Sequence, residues 1–229
     1  MKDILGRAIA AHAVSNTADK LWIHNQYGPK EEMPIDTYFR EEDDMPDLEW
    51  LALEQCTGKI LDIGAGAGSH ALFLQHEGKD VTAIDISPLA VEVMKQRGVG
   101  KAFIADIFTY NQGRFDTLLL LMNGIGLAGT MDGLKRLLNH LKTLLAPGGS
   151  ILFDSSDVSY LYEDGELPAD KYYGEIAYQY EYAGQKGEWF SWLYIDEKTL
   201  EDVTVELGFV MEVLMDDEYG QYLARLRAG

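Results

Sequence analysis

The chain has 229 residues, of which 47% are hydrophobic and 25% charged, and a mass of 25.6 kDa. That composition excludes a mainly disordered, collagen-like or disulfide-stapled chain and allows one generous domain with a sizeable core. Acidic residues outnumber basic ones 38 to 19, a formal net charge of −19, so long-range electrostatics oppose general binding to nucleic acid or a membrane leaflet but not to a small cationic ligand.

A single cysteine, Cys56, excludes an internal disulfide and a thiolate metal cluster. The first residues carry charges where a signal peptide has its apolar centre, and no apolar run reaches membrane-spanning length. A cytoplasmic chain with no bound metal is the expectation.

In chain order, residues 2–14 read as a short helix and 15–46 as an irregular stretch holding Trp22, His24, Tyr27 and an acidic run. Residues 47–56 read as a helix capped by Asp47. Strand and helix then alternate: strand 59–63, helix 69–76, strand 81–84, and a helix to Arg97 with Ser87 as cap and Pro88 at its first position. Strands 101–104 and 115–122 follow, the latter apolar on both faces as a covered parallel strand must be. Helix 131–145, closed by Ala146-Pro147-Gly148-Gly149, leads to strand 150–154. The alternation predicts a doubly wound α/β sheet.

From 158 to 195 the rhythm breaks. Residues 176–182 and 188–195 read as two strands joined by a turn at 183–187. A helix from Asp196 to Leu207 and strands at 209–215 and 221–227 complete the chain, the last two antiparallel across a tight turn. Four segments result: an N-terminal cap (1–58), an α/β core (59–154), an inserted aromatic hairpin (155–195) and a closing helix with a strand pair (196–229).

The chemistry concentrates in Ile60-Leu61-Asp62-Ile63-Gly64-Ala65-Gly66-Ala67-Gly68. A strand runs through small residues into a helix, so a ligand can touch bare backbone. The third glycine comes one residue too early for the dinucleotide fingerprint, and no Gly-Lys-Ser/Thr phosphate loop is present. Asp62 would repel a pyrophosphate but favour an ammonium or a sulfonium. The loop therefore suits a nucleoside with a cationic head. Asp85 ends the second strand of the core, where a carboxylate can accept from both ribose hydroxyls. Asp106 can accept from an adenine amino group, Ile86 and Ile107 can sandwich the base, and Met122 and Asn123 end a strand on the ligand side of such a sheet.

Leu61–Gly68, Ala83-Ile84-Asp85-Ile86-Ser87, Ala105-Asp106-Ile107 and Leu145-Ala146-Pro147-Gly148-Gly149 together resemble the class I S-adenosylmethionine-dependent methyltransferases, in family order and spacing. The resemblance implies a Rossmann-like seven-stranded sheet whose last strand is antiparallel, with the helical cap and inserted hairpin choosing the acceptor. It places Asp62 and Gly64, Ala65, Gly66 and Gly68 at the methionine part of S-adenosyl-L-methionine, Asp85 at the ribose and Asp106 at the adenine.

The expected reaction is in-line displacement at the sulfonium methyl by a small-molecule acceptor, with S-adenosyl-L-homocysteine leaving. Asp154, Tyr27, His24 and His12 are the candidate bases, needed only if the acceptor must lose a proton. Arg40 is either a surface ion pair or a fork for the methionine carboxylate. Eight tyrosines between 160 and 194 either pack the hairpin or wall the acceptor site. The segment Met122-Asn123-Gly124-Ile125 lacks the Asn/Asp-Pro-Pro-aromatic signature of the members that methylate nucleic acids or protein amides. A non-catalytic binder of the same nucleoside, an aminopropyl transferase and, less well matched, a nicotinamide oxidoreductase are the rival readings.

Overall fold

A computed structural model describes residues 2–15, 19–162 and 166–229. In chain order the elements are α1 (Ile4–Val14), β1 (Leu21–Asn25), β2 (Glu31–Met33), α2 (Asp47–Glu54), β3 (Lys59–Ile63), α3 (Ser69–His76), β4 (Asp80–Asp85), α4 (Pro88–Arg97), β5 (Ala102–Ile104) and β6 (Phe115–Leu120). Then follow α5 (Met131–Leu144), β7 (Leu145–Ser156), β8 (Glu175–Tyr182), β9 (Gln185–Lys186), β10 (Phe190–Leu193), α6 (Glu197–Glu206), β11 (Phe209–Asp216) and β12 (Gln221–Ala228). Short 3-10 turns occupy Ile35–Phe39, Glu42–Asp44, Gly124–Ala128 and Ser159–Tyr162. No helix among the described residues is long and apolar enough to cross a membrane.

Seven strands form a sheet in the order β11-β12-β7-β6-β3-β4-β5. The β4–β5 and β6–β7 pairs are parallel. β12 runs antiparallel to β7 and β11 antiparallel to β12, so the expected doubly wound sheet with an antiparallel last strand is present. A second sheet has the order β10-β8-β1-β2, with β9 on β8. The contacts divide the chain into two compact units: Met1–Met45, Leu61–Tyr110 and Ala177–Phe190 form the first, and Pro46–Ile60, Asn111–Ile176 and Ser191–Gly229 the second.

Within the first unit, α1 buries two faces. Ile4 and Ala8 cluster with Leu21, Ile35 and Tyr182, while Ile9 clusters with Ala67, Ala90 and Val93. Each large aliphatic side chain so buried contributes about 1.5–3 kcal/mol. The two caps here are joined by a hydrogen bond: Ser87 Oγ accepts from Ala90 N at 3.0 Å, opening α4, and donates to Asp3 Oδ2 at 2.6 Å. Asp3 in turn accepts from Gly6 N at 2.8 Å, opening α1. In the second unit, α5 presents Leu134, Leu137, Leu138, Leu141 and Leu144 as its buried stripe.

Four local expectations are corrected. The stretch 15–46 contains strands: β1 pairs with β2 (Leu21↔Met33) and with the distant β8 (Leu21↔Tyr182 to Asn25↔Tyr178). The cap of α2 is Pro46, with no side-chain hydrogen bond, and Asp47 lies inside the first turn, where its charge suits the helix dipole. The run from 145 is not a loop but the start of β7. Phe115 pairs with Leu145 and Thr117 with Ser150, so Pro147-Gly148-Gly149 is a bulge in a long strand. The 183–187 turn shrinks to Ala183-Gly184, both with positive φ (48° and 70°), as a two-residue hairpin with right-handed strand twist requires.

The linked caps leave no room beside Gly6: a Cβ there would overlap Ser87 Oγ and the Asp3 carboxylate. Gly6→Ala is expected to destabilise the fold by about 1–3 kcal/mol from overpacking, despite alanine's better helix propensity. Urea unfolding would show a lower midpoint at unchanged slope.

Candidate functional site

In the first unit, β3 delivers Leu61 to Ile63 buried and hands the chain to a loop of left-handed glycines: Gly64, Gly66 and Gly68 have φ of 72°, 56° and 84°. Gly64 N and Ala65 N both donate to Ile84 O, at 2.9 and 3.1 Å, and Gly68 N to Ala65 O at 2.8 Å. Gly68 has a second requirement, since a Cβ would stand 2.8 Å from Met94 Cγ.

Asp85 locks this loop. Its Oδ2 accepts from Gly66 N at 2.9 Å and its Oδ1 from Ser87 N at 2.8 Å. Burial pushes its pKa up, and the backbone donors of Ser87 and Gly66 oppose that. Both oxygens are engaged, but each carboxylate oxygen keeps accepting capacity for a further donor. Asp62 is more deeply buried. Burial raises its pKa to about 6, with His70 pulling it down and Asp85 up. Its Oδ2 has no hydrogen-bond partner.

Two residues that sequence reasoning missed, Tyr38 and Arg97, and one of the hairpin tyrosines, Tyr180, complete the loop's surroundings. The Tyr38 ring lies over Gly66, its Cδ1 3.0 Å from where a Cβ would sit, and the Tyr38 carbonyl accepts from Ser69 Oγ at 2.9 Å. Arg97 donates to Ala67 O at 2.8 Å and to Ser69 Oγ at 3.2 Å and stands 5.0 Å from the centre of the Phe39 ring. The Tyr180 hydroxyl hydrogen-bonds Tyr38, and burial pushes that phenol up to about 12. Arg97 reads in sequence as a cation completing α4. Nothing local announces that it reaches the loop.

The remaining first-unit candidates fall as follows. Ile86 is exposed and Ile107 buried. Asp106 is exposed, with Oδ1 accepting from Phe108 N at 2.9 Å. Arg40, half-buried, follows the Ile35–Phe39 turn. His24 Nε2 lies 2.6 Å from Glu181 Oε2, and Lys30 Nζ binds the other oxygen at 3.1 Å. These two partners hold the Glu181 carboxyl below its usual range. Tyr27 is half-buried, its backbone N–H donating to Asn25 Oδ1 at 2.8 Å. The His12 ring stacks at a tilt on Phe39, centres 4.7 Å apart.

In the second unit, β6 ends at Leu120, before the expected Met122. Met122 and Asn123 both take left-handed φ (61° and 55°), a conformation costly for non-glycine residues. Asp154 holds it: both its oxygens accept from Asn123 N, at 3.0 and 2.9 Å, and Gln221 Nε2 donates to Oδ2 at 3.3 Å. Ser156 Oγ donates to Asn123 Oδ1 at 3.3 Å. Ser155 Oγ accepts from Ile195 N at 3.0 Å. The tyrosines here tie chain to chain: Tyr172 donates to Asp196 Oδ2 at 2.5 Å and Tyr173 to Asp157 Oδ1 at 2.8 Å.

Burial pushes the Asp154 carboxyl up from 3.8 to about 6, with Glu49 adding to the rise against the Asn123 and Gln221 bonds. A raised folded-state pKa means that the folded chain binds this proton more tightly than the unfolded one. The stability it contributes is full below 3.8 and is lost as pH rises through about 6. Asp154→Asn is therefore expected to flatten the fall in melting temperature across this window. An unchanged pH profile in the variant would show that Asp154 does not titrate there.

A family model described as "Methyltransferase domain" matches residues 38–213. An S-adenosylmethionine-dependent methyltransferase from Bacteroides fragilis, solved in complex with S-adenosyl-L-homocysteine, is 44% identical; the match covers 100% of this chain and 95% of that one, with a TM-score of 0.93. The CcbJ methyltransferase of Streptomyces caelestis shares the fold at 14% identity and a TM-score of 0.63, over 84% of this chain and 98% of that one. The ribosomal RNA small subunit methyltransferase C of Alcanivorax borkumensis is 32% identical over 119 residues, 48% of this chain and 34% of that protein. The chain thus spans about a third of the length of this curated relative. From the matched family model and the full-length similarity to the Bacteroides fragilis enzyme, the chain belongs to the S-adenosylmethionine-dependent methyltransferases.

Proposed function

We propose that the chain transfers the methyl group of S-adenosyl-L-methionine to a small-molecule acceptor. The buried, unpartnered Oδ2 of Asp62, on the strand that enters the glycine loop, supports the donor half of this reading. That oxygen would repel a phosphate tail and favour an ammonium or a sulfonium.

The residues present fit the donor. Asp62 would take its positive end, and the bare backbone of Gly64, Ala65, Gly66 and Gly68 would let it approach. Asp85 would accept from the ribose hydroxyls with the capacity its two backbone bonds leave. Asp106 and the exposed Ile86 would meet the adenine, with Ile107 buried as support. Arg40 is the proposed partner of the carboxylate. When bound, the donor supplies an electrophilic methyl on positively charged sulfur. For in-line displacement the chain then contributes alignment and exclusion of water, and orientation of this kind is worth roughly 7–11 kcal/mol in favourable cases. Tyr38, over Gly66, covers one side of the loop. Asp154, with both oxygens on Asn123, is proposed as a positioning residue rather than a base.

Charge supports a small acceptor. A net charge of −19 opposes a polyanion, and the segment after β6 is a left-handed turn without the Pro-Pro signature. The name of the Alcanivorax relative makes ribosomal RNA the competing acceptor. Incubation with methyl-labelled donor and either a low-molecular-mass metabolite fraction or ribosomal RNA separates the two. Label in the metabolite fraction is expected; label confined to RNA would overturn the acceptor reading. For the donor, Asp85→Ala is expected to weaken binding of S-adenosyl-L-homocysteine by ~1.5–3 kcal/mol, roughly 10- to 150-fold, as read by calorimetry. An unchanged dissociation constant would remove Asp85 from the site.

A further inference from the structure

The 3-10 turn Ile35–Phe39 buries one side chain, Ile35, and has no side-chain cap of its own. Its other end is fastened by side chains from elsewhere in the first unit. The Tyr38 ring is seated on Gly66, and the Tyr38 carbonyl accepts from Ser69 Oγ at 2.9 Å. Arg97, at the end of α4, donates to Ala67 O at 2.8 Å and to the same Ser69 Oγ at 3.2 Å. Its guanidinium stands 5.0 Å from the centre of the Phe39 ring, within cation–π range, and His12 of α1 stacks on that ring as well. One side chain thus grips the loop through hydrogen bonds and the turn through its charge. The glycine loop is exposed at Gly64 and buried at Gly66 and Ala67, the part that Tyr38 and Arg97 meet.

We propose that Arg97 is the latch that closes the 35–39 turn over the glycine loop, and so a positioning residue that sets how fast the methyl donor and its product come and go. The proposal rests on the reading that this loop holds the donor. While Arg97 bridges Phe39 and Ala67, the Tyr38 ring stays on Gly66, and a ligand that uses this backbone enters or leaves only as the ring moves. Swinging the turn away breaks the Arg97–Phe39 contact and the Ser69–Tyr38 bond. Ile35, rooted in the cluster of Ile4, Ala8, Leu21 and Tyr182, is the pivot. Covers of this kind often govern product release.

Two variants separate the latch from the shape of the loop. Phe39→Leu keeps both Arg97 bonds to the loop and removes only the ring; Arg97→Ala removes the bonds as well. Surface plasmon resonance on the immobilised chain reads the rates with S-adenosyl-L-homocysteine. A looser turn speeds both entry and exit, so association and dissociation are each expected to quicken about three- to tenfold in both variants, the size of a cation–π contact. The double variant should add little to Arg97→Ala, because the shared contact is lost only once. A second readout needs no ligand: amide hydrogen exchange across 35–40 should quicken in both variants while that of β3 stays unchanged. Should Arg97→Ala not fold, Phe39→Leu alone carries the test. Faster dissociation with unchanged or slower association would make Arg97 a support of loop shape only and overturn the latch, as would rates and exchange that ignore both substitutions; either result leaves the donor reading standing. No binding of S-adenosyl-L-homocysteine to the wild-type chain would overturn the donor reading, and exchange across 35–40 would still decide whether Arg97 and Phe39 hold the turn.

Discussion

One carboxylate fastens the middle of the glycine loop of this methyltransferase, which backbone bonds hold at either side. Asp85 accepts from Gly66 N with one oxygen and from Ser87 N with the other, so the loop after β3 and the start of α4 are fastened to the end of β4. Ser87 passes the constraint on to Asp3 and hence to the first turn of α1. A hydrogen bond to a charged acceptor is roughly twice as strong as a neutral one. Two such bonds on one half-buried group help to fix a loop with three left-handed glycines.

The same constraint concentrates negative charge. Burial raises the pKa of Asp85 and Asp62, and repulsion adds to it, from Asp3 on Asp85 and from Asp85 on Asp62. A fold tolerates such strain where a ligand of opposite charge relieves it. The Tyr38 ring lies against Gly66, its carbonyl accepts from Ser69 Oγ, and Arg97 ties Ser69 to the Ala67 carbonyl of the same loop.

What could be read from the sequence was what is encoded locally. The step from β3 through the glycines to α3 rests on an apolar run and positive-φ positions within ten residues. The start of α4 rests on Ser87-Pro88, and that of α6 on Asp196, whose side chain caps it. What escaped depends on partners far along the chain. β1 is a strand because β8, some 150 residues later, lies beside it. Between β1 and β2 the sequence offers Gly28-Pro29, a dipeptide that favours a turn. Arg97, Tyr38 and Gln221 carry no motif, and their roles follow from contacts that no spacing rule contains. The duty of Asp154 at Asn123 was hidden because a carboxylate at a strand end reads equally as base, cap or tether until its neighbours are known.

The most direct test of the central constraint is amide hydrogen exchange at Gly66 in the ligand-free chain. A preformed loop predicts slow exchange there, comparable to Leu72 inside α3, and fast exchange at Gly66 and Ser87 once Asp85 is replaced by alanine. Exchange at Gly66 as rapid as in an unstructured peptide, with the wild-type residue in place, would contradict it.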